Sequence, residues 1–160
     1  MWVIPFDNHA GSETDLVSVG LNFNGHRVPK PDGRSGEEVW AEFLRSQPGI
    51  AAQFQDATPA FPWITTGRTQ FSSKTTVGDR WMLMSHAAGA IDALFSRGMA
   101  NTMAIIEAFV PRFLAAHEER DYRAERFAYV DRLSQTILDN NDKLIAGSYI
   151  AFRDFDLWRA

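Results

Sequence analysis

The residues best suited to chemistry in this chain lie between Gly78 and Gly98. Most residues of 85–89 are small and leave the backbone accessible. His86 lies among them, and its imidazole can donate or accept hydrogen bonds. A loop over 92–98 then leads into a helix, whose N-terminal partial positive charge suits an anionic or electron-rich group. The pattern predicts that backbone N–H groups hold a polar cofactor here. The alternative is a turn whose small residues serve packing alone.

Regular elements on both sides must position this stretch. Residues 80–85 are apolar enough to predict a strand that is buried on both faces. The apolar residues of 98–117 recur at helical spacing, and we expect a kink at Pro111. The same period continues over 121–144 and predicts a second long helix. A buried strand, a loop and two long helices would thus form this half of the chain.

The preceding part of the chain combines strands with short helices. Residues 2–6 and 15–24 read as two strands of an antiparallel hairpin, and 63–74 as a further strand. Ser35 is expected to cap a helix, and Pro48 to open a shorter one that runs to Phe54. The order of elements predicts an α/β fold with an α+β-like first part.

Composition excludes several functional classes. The chain has 160 residues, enough for one domain, and its net charge of −4 argues against a nucleic-acid surface. Without cysteine it forms no disulfide and no thiolate site, and its four histidines lack metal-ligand spacing, so no metal site is expected. The apolar window 99–116 contains polar residues and a proline, which favours a core helix over a membrane span. No signal peptide is visible, and we expect a cytoplasmic protein.

The stretch from 85 to 98 resembles the second flavin-contacting motif of FAD-dependent monooxygenases and halogenases. That motif reads Gly-Asp-Ala-Ala-Gly, followed by Asp-Pro-Leu-Phe-Ser-x-Gly. The matches are Ala87-Ala88-Gly89, Ile91-Asp92, Leu94-Phe95-Ser96 and Gly98. Two positions depart from it: His86 replaces the acidic residue that binds the ribityl hydroxyls, and Ala93 replaces the proline. We call residues 92–98 the ring loop, because the family places them beside the flavin ring.

Further resemblance extends from residue 1 to about 114. Residues 2–5, Trp-Val-Ile-Pro, are similar to the latter part of the Trp-x-Trp-x-Ile-Pro signature of flavin-dependent halogenases. The Gly-x-Gly-x-x-Gly fingerprint of dinucleotide binding does not occur, and no lysine stands in the context of the halogenase catalytic lysine. The resemblance therefore implies a partial FAD/NAD(P)-binding fold with substrate-domain strands, a C-terminal portion whose upstream segment is missing.

The resemblance implies FAD as cofactor and an oxidoreductase activity in which reduced flavin activates dioxygen to halogenate or oxygenate a small organic substrate. It implies as partners a polypeptide with the dinucleotide-binding half or a flavin reductase, and neither nucleic acid nor membrane. It assigns no catalytic residue. The implied cofactor-binding residues are His86, Ala87, Ala88, Gly89, Asp92, Leu94, Phe95, Ser96, Gly98 and Met99.

Three segments are expected within one compact unit: a substrate-domain-like part over 1–77, the flavin-loop part over 78–118 and a helical part over 119–160. Two other interpretations remain open, a non-catalytic binding or scaffold module and a truncated fragment. An enzyme portion or a fragment would expose the apolar flanks at 2–6 and 80–84. A settled module would cover them.

Overall fold

The computed structural model of the chain describes residues 1–6, 9–25 and 27–159. His26, one of the four histidines, lies outside the described residues. Internal contacts divide the chain into two compact units, Met1–Gly67 and Arg68–Ala160. The boundary expected at 77/78 falls inside the second of these units.

The first unit begins with the expected hairpin. Strand β1 (Trp2–Pro5) pairs antiparallel with β2 (Val17–Gly20), in a register that sets Trp2 opposite Gly20. Gly20 leaves room for the Trp2 ring, since a Cβ there would stand 2.2 Å from it. The hairpin is nevertheless open to solvent, with Ile4 52% and Phe6 54% exposed.

Helix α1 (Gly36–Ser46) begins where the sequence predicts it. The Ser35 hydroxyl accepts from the Glu38 N–H at 3.1 Å, and the Glu38 carboxylate accepts from the Ser35 N–H at 2.8 Å, which completes a capping box. Its apolar face buries Trp40, which packs against three aromatic rings: Phe43, Phe54 and Trp63. Helix α2 (Pro48–Ala51) follows, with proline in its first turn.

The second unit has only two-residue strands among its described residues. Strand β3 (Phe71–Ser72) pairs antiparallel with β6 (Gly89–Ala90), and β4 (Val77–Gly78) pairs antiparallel with β5 (Trp81–Met82). The strand expected over 63–74 thus shrinks to β3. Residues with high strand propensity form a strand only where a partner accepts their hydrogen bonds, and Trp63 instead packs on Trp40.

The prediction of a buried strand over 80–85 is also wrong. Arg80 has a left-handed backbone (φ 65°) and forms the turn between β4 and β5. Trp81 is 48% exposed and covers Gly78, while Met82 and Met84 pack inward against the core. Apolar composition cannot distinguish a buried strand from such a short hairpin, because both contain large apolar residues.

Two long helices dominate the second unit, as predicted. Helix α3 (Gly98–Glu119) runs through Pro111 and ends at Arg120, which is left-handed with φ 53°. A 3₁₀ turn at 124–127 leads into α4 (Ala128–Ala151), and α5 (Phe155–Arg159) closes the chain. Ile105 and Ala108 of α3 form a buried cluster with Val130 of α4. A second buried cluster joins Ala116 of α3 to Val77 of β4 and Phe127 of the 3₁₀ turn.

The opposite side of α3 is apolar and open to solvent. Met99 is 75% exposed, Met103 61% and Leu114 56%. Of the helices in the described part of the chain, only α3 is long and apolar enough to cross a membrane, and 17% of its most apolar window is buried. Its buried stripe packs against α4, so α3 has one face in the core and one apolar face exposed.

Candidate functional site

A short 3₁₀ turn, Ser85–Ala87, places His86 beside the start of α3. Ser85 takes a left-handed conformation (φ 41°), and the turn is closed by the Ala88 N–H donating to the Ser85 carbonyl at 3.0 Å. His86 is exposed, and its ring lies so near Gly98 that a Cβ there would be 2.8 Å from the imidazole Cε1 and Nε2 atoms. Gly98 therefore leaves room for the imidazole.

Hydrogen bonds connect this turn to the first turn of α3 in a defined direction. The Thr102 hydroxyl donates to the Gly98 carbonyl at 2.8 Å, so its only proton is used. The Ser85 hydroxyl, 2.5 Å from Thr102 Oγ1, must then donate to it. His86 Nδ1, 3.2 Å from Ser85 Oγ, is left to donate in turn. In the neutral imidazole this makes Nε2, the atom beside Gly98, an acceptor.

The small residues after His86 divide into exposed and buried ones. Ala87 is exposed, whereas Ala88 is 3% exposed and Gly89 is buried. A Cβ at Gly89 would stand 2.8 Å from Leu138 Cδ2 and 3.0 Å from the Phe71 carbonyl oxygen. Ala88 and Gly89 thus have contacts that fit the packing alternative, and their role towards a cofactor stays a prediction.

The ring loop is exposed and is held by Asp92. One carboxylate oxygen, Oδ1, accepts from the Leu94 N–H at 2.8 Å, and the other, Oδ2, accepts from the Tyr149 hydroxyl at 3.0 Å. Leu94 is 38% and Phe95 39% exposed. Ser96 turns the chain with φ 51°. Both oxygens of Asp92 are thus engaged within the protein.

Helix α3 starts without help from a side chain. Among the described residues no side chain caps it at Arg97, so its first N–H groups, at Gly98 and Met99, have no partner from capping. The structure brings together His86, the ring loop and these N–H groups at one end of α3. It sets Ala88 and Gly89 into the core beneath them.

Two cavities lie outside the predicted site. In the second unit, one of about 290 Å³ is walled mainly by aromatic side chains, among them Trp81, Phe109 and Phe113. In the first unit, one of about 630 Å³ lies between the start of α1 and residues 59–65. Trp63 lines it, and its Nε1 is buried with no hydrogen-bond partner among the described atoms. Neither cavity was predicted from the sequence, because the spacing of these aromatic residues carries no signal of an opening.

The cavity in the second unit also has a polar contact that the sequence did not reveal. Tyr122, in its wall, has its hydroxyl 2.7 Å from His117 Nδ1. Near it, Asp121 accepts a two-point contact from the Arg123 guanidinium, with both distances at 2.8 Å. The side-chain hydrogen bond from Arg123, then the hydrogen bond from its backbone N–H and its charge, lower the pKa of Asp121 to about 2 against a smaller opposing effect of burial.

Comparison with known proteins relates the whole chain to flavin-dependent halogenases. It is 49% identical over 160 residues to the monodechloroaminopyrrolnitrin halogenase PrnC of Pseudomonas fluorescens, covering all of this chain and 28% of that protein. It is 48% identical over 161 residues to the tetracycline 7-halogenase of Kitasatospora aureofaciens, of which it covers 29%. No protein-family model matches the chain.

Solved structures give the same relationship. The crystal structure of halogenase PltM matches 98% of this chain with a TM-score of 0.90 and 37% identity. PltM in complex with phloroglucinol and FAD matches with a TM-score of 0.91. This chain covers 31% of PltM, so it spans less than a third of the length of the proteins that it matches. The matching region is their C-terminal part.

Proposed function

Because the chain resembles flavin-dependent halogenases along its whole length, we propose that it serves as the ring-loop portion of an FAD-dependent halogenase. The observation that carries the proposal is the arrangement at 85–102, where an exposed imidazole, the ring loop and uncapped helix N–H groups converge. In this role the chain works together with a polypeptide part that supplies the dinucleotide-binding half. We expect such an enzyme to be a soluble protein of the cytoplasm.

The residues present are suited to hold FAD. The exposed His86 ring stands over Gly98 at the start of α3, and the first N–H groups of that helix have no capping side chain among the described residues. In the neutral imidazole, His86 Nε2 would accept a hydrogen bond from a ribityl hydroxyl, the role that an acidic oxygen has in the family motif. The N–H groups of Gly98 and Met99 would donate to the pyrimidine end of the flavin ring.

FAD, when reduced, supplies the activation of dioxygen that flavoprotein halogenation requires. This chain would orient the ring with its loop and the α3 N-terminus, and exclude water with the apolar side chains of Leu94, Phe95 and Met99. The substrate would be a small organic molecule, and a flavin reductase would supply the reduced flavin. The names of the relatives favour halogenation over hydroxylation.

The exposed apolar flanks also support an enzyme portion over a settled module. Val3, Ile4 and Phe6 are 42%, 52% and 54% exposed, and Trp81 is 48% exposed. A module that functions alone would cover such edges, because exposed apolar strands associate readily. A larger flavoprotein would bury them against its remaining part.

Equilibrium dialysis of the purified chain against FAD tests the proposal. We expect weak but saturable binding, since the ring contacts are present and the pyrophosphate fingerprint is not. Gly98→Val should abolish it, because a branched Cβ would collide with the His86 ring. Gly49→Val is the matched control, at an open glycine in the first turn of α2.

Saturable binding that Gly98→Val loses and Gly49→Val retains would support the ring-loop function. A folded, monomeric wild-type chain that binds no FAD would contradict it and favour the binding-module interpretation. Equal binding by both variants would also contradict it, because the flavin would then occupy another site.

A further inference from the structure

The hydrogen bond between Tyr149 and Asp92 joins the ring loop to the last turns of helix α4. Tyr149 belongs to α4 and lies 57 residues further along the chain. Among the hydrogen bonds of the described residues, only this one ties the 92–97 segment to a distant element. The segment's other hydrogen bonds within the described part of the chain are local, such as the Ser96 N–H donating to the Ala93 carbonyl at 2.9 Å.

The Tyr149 ring is itself held in place. It meets the Phe152 ring edge to face, with centroids 5.5 Å apart and planes at 85°. Phe152 in turn packs on Trp158 of α5, with centroids 4.6 Å apart. The end of the chain thus supports the orientation of Tyr149, because edge-to-face contacts restrict the rotation of both rings.

We propose that Tyr149 is a positioning residue for the ring loop and acts through the Asp92 carboxylate. Tyr149 anchors Oδ2 of Asp92, and Oδ1 is thereby aimed at the Leu94 N–H, which sets the turn that begins the loop. The loop then enters the left-handed turn at Ser96 and delivers Gly98 to the start of α3. Its relevance to flavin rests on the proposed function, but the anchoring itself is independent of the cofactor.

Hydrogen–deuterium exchange of the full chain without flavin tests the anchoring. In Tyr149→Phe the ring and its contact with Phe152 remain and only the hydroxyl is lost. We expect the amides of Leu94 and Ser96, which are hydrogen-bonded within the loop, to exchange on the order of tenfold faster, the factor typical of a hydrogen bond to a charged group. Exchange in the α3–α4 core should not change. Tyr129→Phe is the matched control, since the Arg112 guanidinium stacks 4.2 Å from that ring and needs no hydroxyl.

A double-mutant cycle separates positioning from simple packing. In the Asp92→Ala background, Tyr149→Phe should have no further effect on loop exchange, because the group through which it acts is gone. Asp92→Asn, which keeps an acceptor oxygen, should restore part of the protection. Loop exchange that is unaltered by Tyr149→Phe, or altered equally in both backgrounds, would overturn the proposal.

The FAD dialysis described above distinguishes the two proposals. If the wild-type chain binds FAD, Tyr149→Phe should weaken the affinity by a similar order of magnitude. If the wild-type chain binds none while its loop exchange responds as expected, the positioning role stands and the flavin function fails. If loop exchange does not respond, the positioning role fails whatever the flavin result.

Discussion

The imidazole of His86 lies against Gly98 so closely that no side chain fits between them. A Cβ at position 98 would be 2.8 Å from both Cε1 and Nε2 of the ring. The contact joins the turn at 85–87 to the first residue of α3, and the hydrogen bonds through Ser85 and Thr102 reinforce it. The position of the His86 imidazole therefore depends on the absence of a side chain at Gly98.

Gly98→Ala should displace the His86 ring with little effect on stability. The added methyl group strengthens the helix by up to about 1 kcal/mol, while the clash forces the imidazole away from Ser85. We expect the His86 ring protons to shift in an NMR spectrum and the urea midpoint to change little. In Gly49→Ala, where the Cβ meets nothing, the His86 signals should stay unchanged. Unmoved His86 signals in Gly98→Ala would contradict the contact.

Gly89→Ala should destabilise the second unit. Its Cβ would lie 2.8 Å from Leu138 Cδ2 and 3.0 Å from a backbone oxygen, and overpacking a core costs about 1–3 kcal/mol. Urea denaturation measures the loss. The double variant Gly89→Ala with Leu138→Val should lose less free energy of unfolding than the two single variants lose together, because the smaller valine makes room for the new Cβ. Strict additivity would mean that the two residues do not meet.

Asp131→Ala should be one of the costlier substitutions on α4. Its Oδ1 accepts from the Thr76 N–H at 2.6 Å and from the Thr76 hydroxyl at 2.8 Å, and Thr76 is completely buried. Two buried donors would lose their acceptor, at about 1–3 kcal/mol each. Asp131→Asn retains an acceptor oxygen and should lose less in a urea titration. Equal losses of stability in Asp131→Ala and Asp131→Asn would mean that the negative charge of Asp131, and not its acceptor oxygen, stabilises this contact.

The Tyr149 hydroxyl should titrate late. Burial, and next the hydrogen bond to Asp92, raise the pKa of Tyr149 above its ordinary value of about 10. A raised pKa means that the stability from this contact is complete below the unfolded pKa and is lost as pH rises through the folded one. An ultraviolet titration of phenolate should show a late step that Tyr149→Phe removes. In Asp92→Asn the pKa of Tyr149 should fall only part of the way back to its ordinary value, because burial still raises it.

Features set by neighbouring residues could be predicted from the sequence. The capping box of Ser35 and Glu38 spans four residues, and the helical periods of α3 and α4 are each carried within one segment. The hairpin of β1 and β2 was also predicted, because both strands are apolar and a short polar stretch joins them. The flavin motif could be identified because its residues are contiguous.

Strands and long-range contacts could not be predicted in the same way. The segment 63–74 has strand-forming residues, yet only Phe71 and Ser72 find a partner, which comes from Gly89 and Ala90. The apolar run after Gly78 forms a short hairpin, in which Trp81 pairs with Gly78, covers that glycine and remains half exposed. The residues within such an apolar run do not determine whether other parts of the chain bury it.

The sequence alone thus determined the helices, the first hairpin and the small-residue motif that resembles a flavin loop, since each depends on residues close together in the chain. Tertiary structure decided that Gly89 packs beneath Leu138 and that Asp92 is bound by Tyr149. These contacts bridge dozens of residues. Such pairs form only when α4 packs beside the loop, and no spacing along the chain encodes which side chains will meet there.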